Sequence, residues 1–138
     1  NAKNAYVNYN QSMAHPLGAN FREALLIVKY QPIPKLFLNT LFSLSQYGND
    51  TNGSNWGKNI SLSYDSRMRE FGNYVGQGVE TYLLIIAPTF SYMLKHNLFA
   101  ELQISYRNQT SKLSQFNSEM FNIGLGVRWN MNTRECNF

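Results

Sequence analysis

Cysteine is almost missing from this chain of 138 residues. Cys136 stands alone, so no disulfide can close within the chain. Charge is also scarce, at 14% of residues. Asn, Ser, Tyr and Gly supply the polar character instead, which suits a weakly charged strand surface. No apolar run approaches the roughly 20 residues that a membrane-spanning helix needs; the longest, around Leu83–Ala87, has the length of a strand. A 3.6-residue apolar period is lacking too, so almost no helix is expected. The net charge is +4. The basic residues are scattered, however, and no Lys/Arg cluster lines up with stacking aromatics, which argues against nucleic acid as a partner. His15 and His96 are the only histidines. They fall in different connections and neither has a nucleophile at a useful spacing, so neither a shared metal site nor a hydrolase centre is expected. No leader pattern opens the chain at Asn1, and we read it as a mature product or a fragment.

What the chain has is alternation. Phe121, Ile123, Leu125, Val127, Trp129 and Met131 fall on one face of a strand, and Asn122, Gly124, Gly126, Arg128 and Asn130 on the other. Successive strand side chains point to opposite faces. Leu98, Ala100, Leu102, Ile104 and Tyr106 repeat the pattern against Glu101, Gln103, Ser105 and Arg107. Leu36, Leu38, Thr40, Phe42 and Leu44 oppose Asn39, Ser43 and Ser45. A fourth stripe runs from Tyr82 to Leu94, with a reverse face made partly apolar by Leu83, Ile85 and Ala87. Ala24, Leu26, Val28 and Tyr30 form a fifth stripe opposite Glu23 and Lys29, and residues 5–11 are a shorter sixth candidate. The apolar face must meet either a protein core or lipid.

Connections choose between these. Strands 21–31 and 35–46 join through Pro32-Ile33-Pro34, and strands 79–94 and 98–107 through Lys95-His96-Asn97. The remaining connections, 13–20, 47–78 and 108–117, are long. Short turns on the periplasmic side and long loops outside characterise transmembrane barrels. With that assignment the last strand delivers its end, including a tail at 132–138, to the periplasm. Tyr82 and Tyr92 share a face ten residues apart. At about 3.3 Å per residue and a tilt of about 40°, they stand roughly 25 Å apart along the membrane normal, the height of a lipid-facing band. Tyr30, Tyr92 and Trp129 would form the inner aromatic girdle, and Tyr82, Tyr106 and Phe121 the outer one. The expected fold is all-β, an antiparallel up-and-down transmembrane β-barrel with about six strands visible in a single domain over 1–138. Single-chain barrels need at least eight strands, and open edges are untenable in hydrocarbon. Further strands upstream, or several chains together, are therefore expected.

Four segments are distinctive: Gln11-Ser12-Met13-Ala14-His15-Pro16-Leu17-Gly18-Ala19-Asn20-Phe21-Arg22-Glu23; Tyr30-Gln31-Pro32-Ile33-Pro34; the Asn/Gly-rich run from Gly48 to Gly57; and Tyr92-Met93-Leu94-Lys95-His96-Asn97-Leu98. Together they resemble the C-terminal barrel portion of RemB-like gliding-motility outer-membrane proteins of Bacteroidetes, which are similar to Wzi-type capsule-assembly barrels. The resemblance covers most of the chain. It implies a non-enzymatic surface protein tied to exopolysaccharide or adhesin traffic. Its expected partners are outer-membrane lipid, the barrel-assembly machinery and other outer-membrane proteins or surface polysaccharide, with no cofactor. The last strand looks like a barrel-assembly signal through Gly124, Gly126 and Trp129, although the tail that follows departs from the usual pattern.

Candidate sites are few. Glu23, Lys29, Glu101, Arg107 and Arg128 lie on polar faces and are expected to form a network lining the lumen, either filling it or forming a polar path or a sugar-binding wall. Asp50, Asn52 and Ser54 have the spacing that opens a calcium loop, but Ser61 stands where a bidentate acid would be needed; an exposed turn explains the same residues. Trp56, Tyr64, Phe71 and Tyr74 in the long loop either stack on sugars, meet a partner protein, or pack the loop over the barrel mouth. A soluble lipid-carrying β-barrel is the alternative from another class, and a structural subunit of a larger outer-membrane secretion complex is a third.

Overall fold

The computed structural model of the chain describes residues 7–8, 11–12, 15–51, 53–60 and 62–130. Seven strands occur in chain order: β1 (Val7–Asn8), β2 (Gln11–Ser12), β3 (Phe21–Ile33), β4 (Leu36–Asn49), β5 (Val79–Lys95), β6 (Leu98–Ser111) and β7 (Ser118–Trp129). The first two pair only with each other. The other five form one antiparallel sheet in the order β3-β4-β5-β6-β7, a plain meander. Among the described residues there is no α-helix, only short 3-10 turns at Tyr64–Ser66 and Ser114–Phe116, and no helix is long and apolar enough to cross a membrane.

Among the described residues the sheet therefore holds five strands rather than six, because β1 and β2 do not join it. It is not closed: β3 and β7 are edges, each with one row of backbone groups outside the ladder. Strand ends also shift from their expected places. β3 runs through Pro32 to Ile33, past a register irregularity between Tyr30 and Ile33, and the turn is Pro34-Lys35. Pro34 has no N–H to continue a ladder. At the β5–β6 turn Asn97 takes φ 63°, the left-handed conformation that Asn tolerates best after Gly. At the other end β4 extends to Asn49 and β6 to Ser111, so the connections contract to 50–78 and 112–117. Short turns and longer loops still alternate, at opposite ends of the sheet.

Register sorts the faces. Residues opposite each other in an antiparallel pair share a face. Leu26, Phe42, Ile86, Tyr106 and Phe121 form one row through all five strands. Tyr30, Leu38, Phe90, Leu102 and Leu125 form another, nearer the turns. All five stripes legible in the sequence thus lie on one side. Between the row of Tyr106 and Phe121 and the row of Leu98 and Trp129, that side carries no charged residue. Pro88 sits in the middle of β5 opposite Thr40; pairing with β6 is interrupted there and resumes at Thr89 and Gln103.

No second layer covers this face among the described residues. Leu125 is 84% exposed, and Val127, Trp129, Ile123 and Phe121 are exposed along the same strand. Among the described residues the only buried apolar side chains are Tyr47 and Leu83, beside the loops, next to a fully buried Thr81. Thr81 is held by Asn49 Nδ2 at 3.0 Å and Ser111 Oγ at 2.9 Å. Contiguous apolar surface beyond a few hundred Å² is uncommon on a water-soluble monomer and marks a contact surface.

Candidate functional site

The polar face is the first place to look for chemistry. Glu101 and Arg128 come together on neighbouring strands: Arg128 Nε donates to Glu101 Oε1 at 2.8 Å, and Ser91 Oγ donates to the same oxygen at 3.1 Å. The Arg128 guanidinium also lies 4.5 Å from the Phe99 ring centre, a cation–π contact. Glu23 forms a second, separate cluster at the loop end. Its Oε1 accepts from Ser43 Oγ at 2.7 Å and Ser45 Oγ at 3.1 Å. The remaining two expected members join neither cluster. Arg107 donates to Gln109 at 2.6 Å, and Lys29 faces the row of Asn39, Thr89 and Gln103. The five charges are therefore split into separate groups, because they sit at different depths on strands whose register the backbone fixes.

This face is less polar than the alternation suggests. Leu25 and Ile27 of β3 share it and are exposed; Leu41, Ile85 and Ala87 lie in the same rows. The sequence shows them only as interruptions of the polar stripe. Gly124 and Gly126 also lie on this side, opposite Gln103 and Glu101. A Cβ at Gly126 would meet nothing, and one at Gly124 would make ordinary contact with Gln103, so nothing in the sheet demands glycine at either position.

Tyr30, Tyr82, Tyr92, Tyr106, Phe121 and Trp129 all share the apolar face. Two of the tyrosines have a polar tip turned toward the loops. The Tyr106 hydroxyl bonds Glu119 at 3.0 Å and accepts from Asn108 Nδ2 at 3.1 Å. The Tyr82 hydroxyl bonds Glu80 at 2.8 Å and accepts from Gln46 at 3.2 Å. An apolar ring body with a hydrogen-bonded tip is the arrangement aromatics adopt where one end is greasy and the other wet.

The loop end is built by groups that the sequence does not advertise. Segment 15–20 leans on the long loop through Ala19 N–H to Lys58 O at 3.2 Å and on β4 through Gly48 N–H to Asn20 O at 3.1 Å. Asn20, at φ 60°, uses its side chain twice: Nδ2 donates to Gln77 O at 2.9 Å and Oδ1 accepts from Gly76 N–H at 2.8 Å. His15 stacks on Phe21 with ring centres 4.2 Å apart and reaches Glu23 Oε2 through Nε2 at 3.1 Å. Its Nδ1 accepts from Leu17 N–H at 3.2 Å, which leaves Nε2 as the N–H donor of the neutral ring. His15 thus ties segment 15–20 to the polar face, while His96 lies in the turn at the far end.

Asp50 organises the long loop. Its carboxylate accepts from Trp56 N–H at 2.7 Å and Asn59 N–H at 3.2 Å. Ser54 turns inward onto Thr51 O at 2.6 Å. Both Asp50 carboxylate oxygens are thus spent on backbone donors six and nine positions along the loop. Asn52 and Ser61, the other members of the calcium-like pattern, lie outside the described residues, as do Met131, Cys136 and the tail at 132–138. Lys58 is pulled below its usual range by burial, opposed by the Asp50 carboxylate, and its ammonium bonds Asn49 Oδ1. Lys112 is held above its usual range by its hydrogen bond to Glu80. Of the loop aromatics, Trp56 packs against Gly78 beneath Arg69. Tyr64 lies 3.9 Å under the Arg67 guanidinium, and Phe71 and Tyr74 are exposed.

Comparison of the chain with protein-family models, with curated proteins and with solved structures finds no match.

Proposed function

We propose that this chain is part of an outer-membrane β-barrel that is not an enzyme and works in surface polysaccharide or adhesin assembly, or in gliding motility, as RemB-like proteins do. One observation carries the membrane reading: an apolar side shared by five strands, free of charge between the row of Tyr106 and Phe121 and the row of Leu98 and Trp129, uncovered by any second layer among the described residues and edged by aromatics with polar tips. Lipid is the solvent such a surface fits. The short turns face the periplasm, the loops at 50–78 and 112–117 face outward, and β7 leads the chain back to the periplasmic side. Further strands, from the same polypeptide or other chains, complete the ladders of β3 and β7, since unpaired backbone groups in hydrocarbon cost several kcal/mol each, of order 2–7. Gly124, Gly126 and Trp129 act in recognition by the assembly machinery. The functional half of the reading rests on the four resembling segments.

The test is fractionation of cells that make the protein, followed by gel mobility with and without boiling. A barrel partitions with outer membranes, needs detergent, and migrates differently once boiled. A monodisperse species in plain buffer overturns the reading and favours a soluble lipid-carrying barrel, whose interior the patch of Leu25, Ile27, Leu41 and Ile85 would suit. Deletion of the protein should impair surface spreading or capsule display; unaffected cells would refute that half alone.

A further inference from the structure

Two neighbouring cross-strand rows leave a groove of about 530 Å³ on the apolar face, at its loop end. Ala24, Leu44 and Leu84 form its floor, and Arg22, Gln46 and Tyr82 the rim one step nearer the loops. Its volume lies within the roughly 300–1,000 Å³ of small-molecule sites. Ala24 is a single methyl beside two leucines, which keeps the floor hollow. Polarity changes from hydrocarbon to charge within one strand repeat.

The charges at the rim and beside it are unequal. Glu23 also lines the groove, but its carboxylate is taken by Ser43, Ser45 and His15. Glu80 is already neutralised: Tyr82 donates to it at 2.8 Å, Lys112 Nζ lies 3.0 Å away, and the Gln46 amide donates to it as well. Arg22 is exposed and makes no hydrogen bond or ion pair with any described residue. Among the described residues, then, a cation without an ion-pair partner stands beside an apolar trough. An amphiphile of the opposite layout fits it, with an anionic head at Arg22 and a chain along the floor. Guanidinium is well matched to phosphate, which it can bind through two parallel N–H donors.

We propose that this groove holds one lipid of the outer leaflet whose phosphate head is net anionic, its phosphate on Arg22 and an acyl chain against Ala24, Leu44 and Leu84. The proposal rests on the barrel reading, because only there does this face meet lipid at headgroup depth. Bound lipid would mark the loop end of the barrel as a fixed seat rather than a greasy wall.

The test is native mass spectrometry of the full protein in detergent micelles, with three probes added in turn: dimyristoyl phosphatidylglycerol, phosphatidylcholine of the same chains, and inorganic phosphate. One phosphatidylglycerol adduct is expected to survive activation that strips phosphatidylcholine, with inorganic phosphate unable to displace it. Arg22→Gln should lower its occupancy about tenfold, the loss of one charge-assisted contact, and Leu84→Trp, which fills the floor, should lower it too. Lys35→Gln, a surface charge at the turn end, should leave it unchanged. Equal retention of the two lipids, displacement by inorganic phosphate, or an Arg22→Gln adduct like the wild type's each overturns the proposal. Boiling-dependent gel mobility of the same wild-type sample separates the two failures: if mobility shifts and Arg22→Gln is silent, only the groove falls.

Discussion

Leu125 and Gln103 make a paired test of which side meets lipid. They lie one residue apart in depth, since Gln103 pairs with Gly124 and Leu125 with Leu102, but they project from opposite faces. Leu125 is central among the five apolar positions of β7 that end at Phe121 and Trp129, which puts it near the middle of the band. It is also 84% exposed. If that exposure were to water, Leu125→Arg would be a surface change within about 0.5 kcal/mol of neutral. If the exposure is to hydrocarbon, arginine near the midplane costs about 2–4 kcal/mol. That difference is roughly 30- to 700-fold in the folding equilibrium. Gln103→Arg adds the same charge on the polar side, next to Glu101 and opposite Gly124, which carries no side chain, and should stay within about 0.5 kcal/mol. Refolding into dilauroyl phosphatidylcholine vesicles across a urea series, followed by boiling-dependent mobility and tryptophan emission, reads both variants. Equal stability of the two, or a larger loss for Gln103→Arg, refutes the assignment of faces.

Three further predictions follow from the polar contacts. The Glu101–Arg128 pair is nearly half exposed on its arginine side, so a double-mutant cycle with Glu101→Gln and Arg128→Gln should give a coupling of about 0.2–1 kcal/mol, reduced by salt; no salt dependence would contradict it. Asp50→Ala removes the acceptor for two loop N–H groups and should make residues 50–60 more susceptible to limited proteolysis and faster in amide exchange, while the β5 and β6 amides keep their protection. Gly48→Ala would place a Cβ 1.8 Å from Gln77 O and 2.4 Å from Asn20 Nδ2; it should cost about 1–3 kcal/mol in the urea series and free segment 15–20, and a silent substitution would mean that the loops do not sit on β4.

The five stripes were legible because alternation with period two is a local property: each residue's neighbours in sequence decide its face relative to them. Tyr30, Tyr92 and Trp129 could likewise be grouped with the turn end by counting along each strand. That all stripes share one side could not be read locally. It follows from register, which the turns at Pro34-Lys35 and His96-Asn97 set, and a slip of one residue would have inverted a whole strand. The charge clusters show the same division. Glu101 and Arg128 carry no mark of each other in sequence, and only the pairing of Glu101 with Gly126 and of Phe99 with Arg128 brings them into contact.

The amino-acid order alone determined the meander: which segments are strands, which residues alternate, and where turns are short, because these depend on interactions within a few residues. Tertiary structure decided what the order leaves open: a five-stranded sheet with an uncovered side among the described residues, a polar face broken into separate clusters with an apolar patch, and a loop end bound together by Asn20, Asp50 and His15. Each of these needs groups far apart in the chain to meet, and a hydrogen bond spanning 57 positions, such as that from Asn20 to Gln77, leaves no trace in a local pattern.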